Sequence, residues 1–287
     1  MVKTDYNDII VEVAGQFNRP DYLNAFGGRL LPETINAFRE LNEHPDTVFT
    51  VLTGAGRFFS AGWDIRNNSF PSGPFETDAD AKIAHATHLF PCLELIRTII
   101  DHGKIFVLAL NGPATGGGAA WFPGLADTIL AADSCHLHAP FSALALVPEN
   151  GSIRTLSHSL GIHRANDMLL YGNKVTAQQL HAWGTVSEVY PTEGFLSHVE
   201  AFLERQLQQN DGKSMMVAKR LQTAPLRNER LLAAFDAMDA LHERLVEGAP
   251  TARFIKKIQE LQGMCVKDAF WTFADLMIEK KEKESKL

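Results

Sequence analysis

Two glycine-rich stretches and one isolated glutamate are the places where residue types and spacing in this chain suit chemistry. The first stretch is Gly56-Arg57-Phe58-Phe59-Ser60-Ala61-Gly62-Trp63-Asp64-Ile65. The second is Asn111-Gly112-Pro113-Ala114-Thr115-Gly116-Gly117-Gly118-Ala119-Ala120. Each follows an apolar run, Thr47–Thr53 and Ile105–Leu110, that reads as a buried strand. Small residues at a strand-to-loop junction let the backbone approach a ligand and aim its N–H groups at it. At a helix N-terminus those groups also gain from the helix dipole. Two such junctions facing each other make a two-donor oxyanion hole. The glutamate, Glu149, lies in Leu146-Val147-Pro148-Glu149-Asn150-Gly151-Ser152. Taken alone it reads as a capping or surface residue, because Asn150, Gly151 and Ser152 are helix-entry residues.

Other chemistries find little support. Gly212-Lys213-Ser214 resembles the end of a phosphate-binding loop, but Leu207 stands where the first glycine is needed. No G-x-S-x-G, H-E-x-x-H or strand-anchored G-x-G-x-x-G occurs, and the 11 histidines form no ligand cluster, so no metal site is expected. Cys92, Cys135 and Cys265 are odd in number and scattered, which suits reduced structural thiols. The 287 residues are 45% hydrophobic and 21% charged, an ordinary globular balance. A net charge of −7 argues against a nucleic-acid partner. No apolar run reaches the ~18 residues a membrane span requires. Met1–Asp5 lacks the pattern of a secretory signal.

The elements that must position the two junctions follow from periodicity. Ile9–Val13 is β-rich and leads to the turn Asn18-Arg19-Pro20-Asp21. Leu31, Ile35, Phe38 and Leu41 recur at helical spacing, giving a helix that ends before Pro45. Arg66–Asp80 is polar and reads as a loop beside the site. Leu89, Leu93, Ile96 and Ile100 mark a second helix, expected to start or kink at Pro91. Asp127–Ala132 and Cys135–His138 read as short strands, and the pattern is mostly helical from about residue 150. This alternation indicates an α/β fold with parallel pairings. Two late stripes stand out: Leu231, Phe235, Met238, Leu241 and Leu245, then Phe254, Ile258 and Leu261. They fit a helical subdomain on its own core, an arm over a neighbouring subunit, or both.

Taken in order, the motifs resemble those of the crotonase (enoyl-CoA hydratase/isomerase) family. Asn18-Arg19-Pro20-Asp21-Tyr22-Leu23-Asn24-Ala25-Phe26 resembles the family's N-R-P-x-x-x-N-A-[LF] turn, Arg57–Ile65 its F-x-A-G-x-D segment, and Asn111–Gly118 its N-G-x-x-x-G-G-G segment. The resemblance extends to about residue 190. It implies a spiral of ββα units over residues 1–200, followed by a helical trimerisation segment over 201–287. It also implies an acyl-CoA thioester substrate, with the thioester oxygen held by the backbone N–H groups of Trp63 and Gly117. Ala25, Ala61, Gly62, Asp64, Ile65 and Phe141 would line the substrate site. Trp63 departs from the usually small residue at its position. Neither metal nor redox cofactor is implied, coenzyme A being part of the substrate.

The resemblance also bears on the reaction. Hydratases of the family position water with two glutamates, and this chain has Ala120 and Phe141 at those places. Glu149 instead falls where Δ3,Δ2-enoyl-CoA isomerases, particularly the peroxisomal fungal type, carry their single catalytic glutamate. One base suffices for an allylic shift, taking a proton from C2 and returning it at C4. Ala120, Phe122, Phe141, Leu144 and Leu146 are expected to supply an apolar setting that raises the carboxyl pKa. Dienoyl-CoA isomerases, hydratases and non-enzymatic acyl-CoA-binding homologues are the alternatives. The tripeptide Ser285-Lys286-Leu287 matches the peroxisomal import signal, which implies the import receptor as a partner and the peroxisomal matrix as the location. A homotrimer or a dimer of trimers is the expected assembly.

Overall fold

The computed structural model describes residues 9–11, 14–65, 70–71 and 73–262. The tripeptide Ser285-Lys286-Leu287 lies outside the described residues, as do Arg66–Ser69 and Ser72 of the expected Arg66–Asp80 loop.

The apolar runs form the spine of a six-stranded sheet. Its strands are β1 (Ile9–Val11), β2 (Ala14–Phe17), β3 (Phe49–Gly54), β4 (Ile105–Leu110), β6 (Thr128–Ala132) and β9 (Glu188–Tyr190), in the order β1-β2-β3-β4-β6-β9. Only the β1–β2 pair is antiparallel. A smaller sheet joins β5 (Ala114–Thr115), β7 (His136–His138) and β8 (Val175–Thr176). β4 is buried along its whole length because both faces of the large sheet are covered. Leu52, Phe106, Leu108, Leu110, Ile129 and Ala131 face a core shared with α1 (Leu30–Glu43) and α2 (Asp78–Ile100). The alternate residues Val51, Val107, Ala109, Leu130 and Ala132 face α7 (Phe195–Gln209) and α8 (Gly212–Thr223) through Phe195, Val199, Met215 and Met216.

The remaining α-helices among the described residues are α3 (Gly117–Ala120), α4 (Ser152–Leu160), α5 (Ile162–Leu169), α6 (Ala177–Ala182), α9 (Arg227–Val246) and α10 (Ala249–Gln262). Among the described helices, none is long and apolar enough to cross a membrane.

Three expectations are corrected. α2 does not begin at Pro91. It begins at Asp78, capped by the Thr77 hydroxyl accepting from the Asp80 N–H at 3.2 Å, and continues through the proline. Tertiary burial of Leu89, Cys92, Leu93 and Ile96 around Pro91 outweighs the lost backbone bond. The short strands β8 and β9 were not legible in a region that reads as helical, because two or three residues cannot display an alternating pattern. On α9 the buried stripe is Ala234, Ala237, Leu241 and Leu245, while Phe235 is 54% exposed. The helix packs closely on α2 and α4, and alanines allow that approach. Thus α9 covers the core of its own chain. Phe254 of α10 packs on it as well.

Candidate active site

Two asparagines, Asn24 fully buried and Asn111 half-buried, tie the loops at the carboxyl ends of β2, β3 and β4 into one framework. Asn24 is fully buried, and its Oδ1 accepts from the Arg19 N–H at 2.9 Å. Its Nδ2 donates to the Ala55 and Phe58 carbonyls, each at 2.9 Å. Asn111 does the same between β3 and β4, accepting from the Gly54 N–H at 3.0 Å and donating to the Gly56 carbonyl at 2.9 Å. Amides serve here because each supplies both a donor and an acceptor to backbone that no ladder satisfies. Arg19 adds a charged strut. Its guanidinium donates to the Ala25 carbonyl at 2.6 Å, pairs with Asp64 at 3.6 Å and lies 4.6 Å from the centre of the Tyr22 ring. The Ala25 carbonyl and the Asp64 carboxylate therefore contribute to the framework.

This framework brings the two glycine-rich turns into contact. A parallel bridge joins Phe26 to Trp63, with the Phe26 N–H donating to the Gly62 carbonyl at 2.7 Å and the Asp64 N–H to the Phe26 carbonyl at 3.2 Å. Ser60 bridges to Ala114, and the Thr115 N–H donates to the Ser60 carbonyl at 2.9 Å. Gly62 has a φ of +82°, and a Cβ there would stand 2.5 Å from the Thr115 carbonyl oxygen and 3.3 Å from the Gly117 nitrogen. Only glycine permits both the conformation and the approach. The structure thus sets Gly62, the neighbour of Trp63, against Gly117. Gly117 opens α3, where its N–H has no partner within the helix.

Glu149 arrives from the other side. Asn150 and Gly151 take positive φ values of 53° and 72°, turning the chain sharply into α4, and the Ser152 N–H donates to the Glu149 carbonyl at 2.9 Å. A Cβ on Gly151 would lie 2.9 Å from the Ala234 nitrogen, so α9 is seated directly on this turn. Glu149 and Trp63 line the same narrow cavity, with Phe70, Leu89, Cys92, Trp121, Asn150, Ala237, Met238 and Leu241. Its free volume is about 10 Å³, close to that of one water. Among the described residues lining it, Glu149 is the only acidic side chain.

Burial in these walls pushes the Glu149 carboxyl up to about 7, while the Trp121 indole N–H beside it pulls in the opposite direction. At that value the group can both take and give a proton near neutrality. Burial, reinforced by Glu149, raises the Cys92 thiol, which keeps it protonated and unreactive. Trp63 stacks on Phe70 with ring centres 5.8 Å apart and planes 3° apart, and the His88 ring meets both edge-on. Burial followed by the neighbouring His85 lowers the His88 pKa, which favours its neutral form.

The apolar setting of Glu149 differs from the one expected. Ala120, Phe122 and Phe141 are buried in the main core, with Leu144 and Leu146 packed there too, but none of the five lines the cavity. The wall comes from α2, α9, Trp63, Phe70 and Trp121. Ala61 and Ile65 flank the Gly62–Trp63 contact, and the Ala61 N–H donates to the Leu23 carbonyl at 2.9 Å. Sequence reasoning missed Trp121, Cys92, Met238 and Leu241. A signal for Trp121 was its place directly after the glycine turn. The α9 residues carried none, since nothing local ties them to Glu149. No cluster of three or more metal-ligating side chains occurs among the described residues.

Solved structures share this architecture. An enoyl-CoA hydratase from Bacillus halodurans superposes with a TM-score of 0.75 at 16% identity, covering 87% of this chain and 100% of that one. An enoyl-CoA hydratase/isomerase from Pseudoalteromonas atlantica T6c gives 0.74 at 23% identity, covering 87% and 96%. The fold is that of the crotonase class, an α/β spiral followed by a helical segment.

Residues 8–257 match the family model described as Enoyl-CoA hydratase/isomerase, and the chain belongs to that family of enzymes. Enoyl-CoA delta isomerase 2 of Rattus norvegicus is 37% identical over 183 residues, 64% of this chain and 45% of that protein. The mouse protein "Enoyl-CoA delta isomerase 3, peroxisomal" is 33% identical over 183 residues, 64% of this chain and 55% of that protein. A Delta(3,5)-Delta(2,4)-dienoyl-CoA isomerase of Pyricularia oryzae is 37% identical over 173 residues, 58% of this chain and 61% of that protein. The match spans about half the length of the delta isomerases.

Proposed function

We propose that this protein shifts the double bond of a 3-enoyl-CoA to the trans-2 position. The observation that carries this reading is the single carboxyl of Glu149, held near a pKa of 7 in an apolar cavity that Trp63 also lines. In the proposed reaction the Glu149 carboxylate takes a proton from C2. The resulting dienolate oxygen receives hydrogen bonds from the Trp63 and Gly117 N–H groups, and the carboxylic acid returns the proton at C4. Ala120 and Phe141 stand where a hydratase needs its two acids, so no pair is available to position and split a water. The same absence of a second acid disfavours dienoyl isomerisation, despite the Pyricularia relative. The cycle uses no metal or redox cofactor.

The reading extends to the peroxisomal matrix, with the import receptor as a partner. Its supports are the Ser285-Lys286-Leu287 tripeptide and the relative whose name includes "peroxisomal". It also extends to a homotrimer or dimer of trimers. Exposed Val217, Leu221, Leu232 and Phe235 on α8 and α9 supply apolar surface for such contacts. A direct assay of the purified protein on cis- and trans-3-enoyl-CoA tests the activity. Isomerisation with negligible hydration of crotonyl-CoA is expected. Hydration at a comparable rate, or no turnover of either 3-enoyl substrate, would overturn the reading.

A further inference from the structure

Trp121 is a large side chain whose one polar atom lies beside the Glu149 carboxyl without completing a hydrogen bond of good geometry. Only 2% of the residue is exposed, and its Nε1 is fully buried with no acceptor in good hydrogen-bond geometry. Buried indole N–H groups almost always find a partner, so this one calls for a reason. The ring is not free to go looking for an acceptor. It stacks on Phe26 with ring centres 4.7 Å apart and planes 11° apart. It also lies against the Cα of Gly117, where a Cβ would stand 2.6 Å from the indole Cε2. Its own backbone N–H donates to the Gly117 carbonyl at 2.9 Å. The indole is therefore fixed to the turn that carries one of the proposed oxyanion donors, and through Phe26 to the segment bridged to Trp63.

Glu149 is the other member of the pair. It lines the same cavity as Trp121 and is the only acidic side chain there among the described residues. The other lining side chains able to accept a hydrogen bond are Asn150 and, weakly, Cys92 and Met238. An ionised carboxylate is the strongest acceptor available to a fixed N–H.

We propose that Trp121 is a positioning residue for Glu149: its indole N–H takes the carboxylate as acceptor and holds it beside the Gly117 turn against which the same ring is packed. This rests on the isomerase reading, because a positioned base matters most where one carboxyl must reach two carbons in turn. The indole N–H donates to Glu149 in either state, but more strongly to the charged carboxylate than to the carbonyl oxygen of the neutral acid. Trp121 therefore sets the balance between base and acid as well as the place of the group.

Trp121→Phe tests this by keeping a ring against Gly117 and Phe26 while removing the donor. β-(3-Benzothienyl)alanine placed at position 121 is the closer isostere, with sulfur in place of the N–H. The primary readout is titration of the Glu149 carboxyl in the substrate-free protein, by infrared difference spectra referenced to Glu149→Gln. The midpoint should rise by about one unit in both variants, in line with loss of a hydrogen bond to a charged group. If the wild-type protein isomerises 3-enoyl-CoA, kcat at pH 7 should fall about fivefold and recover at higher pH, with KM changed less than about twofold. A merely structural role would lower the melting temperature and kcat at every pH without moving the midpoint. An unshifted carboxyl titration in a folded variant overturns the proposal. Because that titration needs no turnover, absence of isomerase activity in the wild type would sink the functional reading alone. Should Trp121→Phe fail to fold, the benzothienyl variant decides.

Discussion

The Arg19 guanidinium lies 3.6 Å from the Asp64 carboxylate, with side-chain exposures of 11% and 5%. This buried pair ties the Asn18–Phe26 turn to the segment that carries Trp63. Gly27 passes so close that a Cβ there would lie 2.8 Å from the Asp64 Oδ2. The motif residues Arg19, Asn24 and Asp64 thus build the platform on which the proposed backbone donors sit.

Breaking that pair from one side should be costly. Asp64→Ala leaves the Arg19 charge buried and is expected to destabilise the protein by about 3 kcal/mol. Arg19→Ala removes the cation paired with the Asp64 carboxylate and is expected to destabilise in the same direction. The double variant should lose clearly less than the sum of the two single changes, a coupling that chemical denaturation of all four proteins measures. Strict additivity would show that the two side chains do not act as a unit.

Contact between the two glycine turns makes a second, more local demand. Gly62→Ala places a Cβ 2.5 Å from the Thr115 carbonyl oxygen at a φ of +82°. The expected result is a loss of about 2 kcal/mol or more in stability, together with a large drop in activity as the turns separate. Gly161→Ala is the matched control, since its φ is +81° but no atom lies within 4 Å of the added carbon. It should show the backbone strain alone and keep its activity. Equal losses in the two variants would mean that the packing of Gly62 on Thr115 and Gly117 is unimportant.

Glu149 should leave its mark on the pH dependence of stability. Its carboxyl is raised from an ordinary value of 4.5 to about 7 by burial, so the folded chain binds this proton more tightly than the unfolded chain. Stability from this group is therefore full below about pH 4.5 and is lost as pH rises through about 7. The cost above pH 7 is on the order of 3 kcal/mol at most. Glu149→Gln removes it, so the variant should melt at a higher temperature than the wild type at pH 8, with the gap closing towards pH 4.5. A gap independent of pH would contradict the raised carboxyl.

Much of this arrangement was legible before any coordinates. Thr47–Thr53 and Ile105–Leu110 announced the central strands because parallel strands buried on both faces read as unbroken apolar runs. The glycines of the two turns announced close backbone approach, which Gly62 and Gly117 display. The wall around Glu149 was not legible. Ala237, Met238 and Leu241 reach it only because α9 folds back over α2 and α4, a long-range contact that helical periodicity does not encode. For the same reason Phe141 and Leu144 looked like neighbours of Glu149 along the chain, whereas they pack into the core behind it. Pro91 did not mark the start of α2, because its local cost is overridden by the burial of the residues around it.

The central claim is that the Glu149 carboxyl carries the proton, and Glu149→Gln measures this directly by keeping shape and polarity while removing the base. On 3-enoyl-CoA the purified variant should lose at least ~10²-fold in kcat, the lower end of what general acid–base catalysis supplies. Affinity for an acyl-CoA should change little, because the proposed oxyanion donors are the backbone N–H groups of Trp63 and Gly117. The melting temperature must be at least that of the wild type at pH 8, so that lost activity cannot be attributed to unfolding. A folded Glu149→Gln protein that isomerises at a near-normal rate would contradict the mechanism.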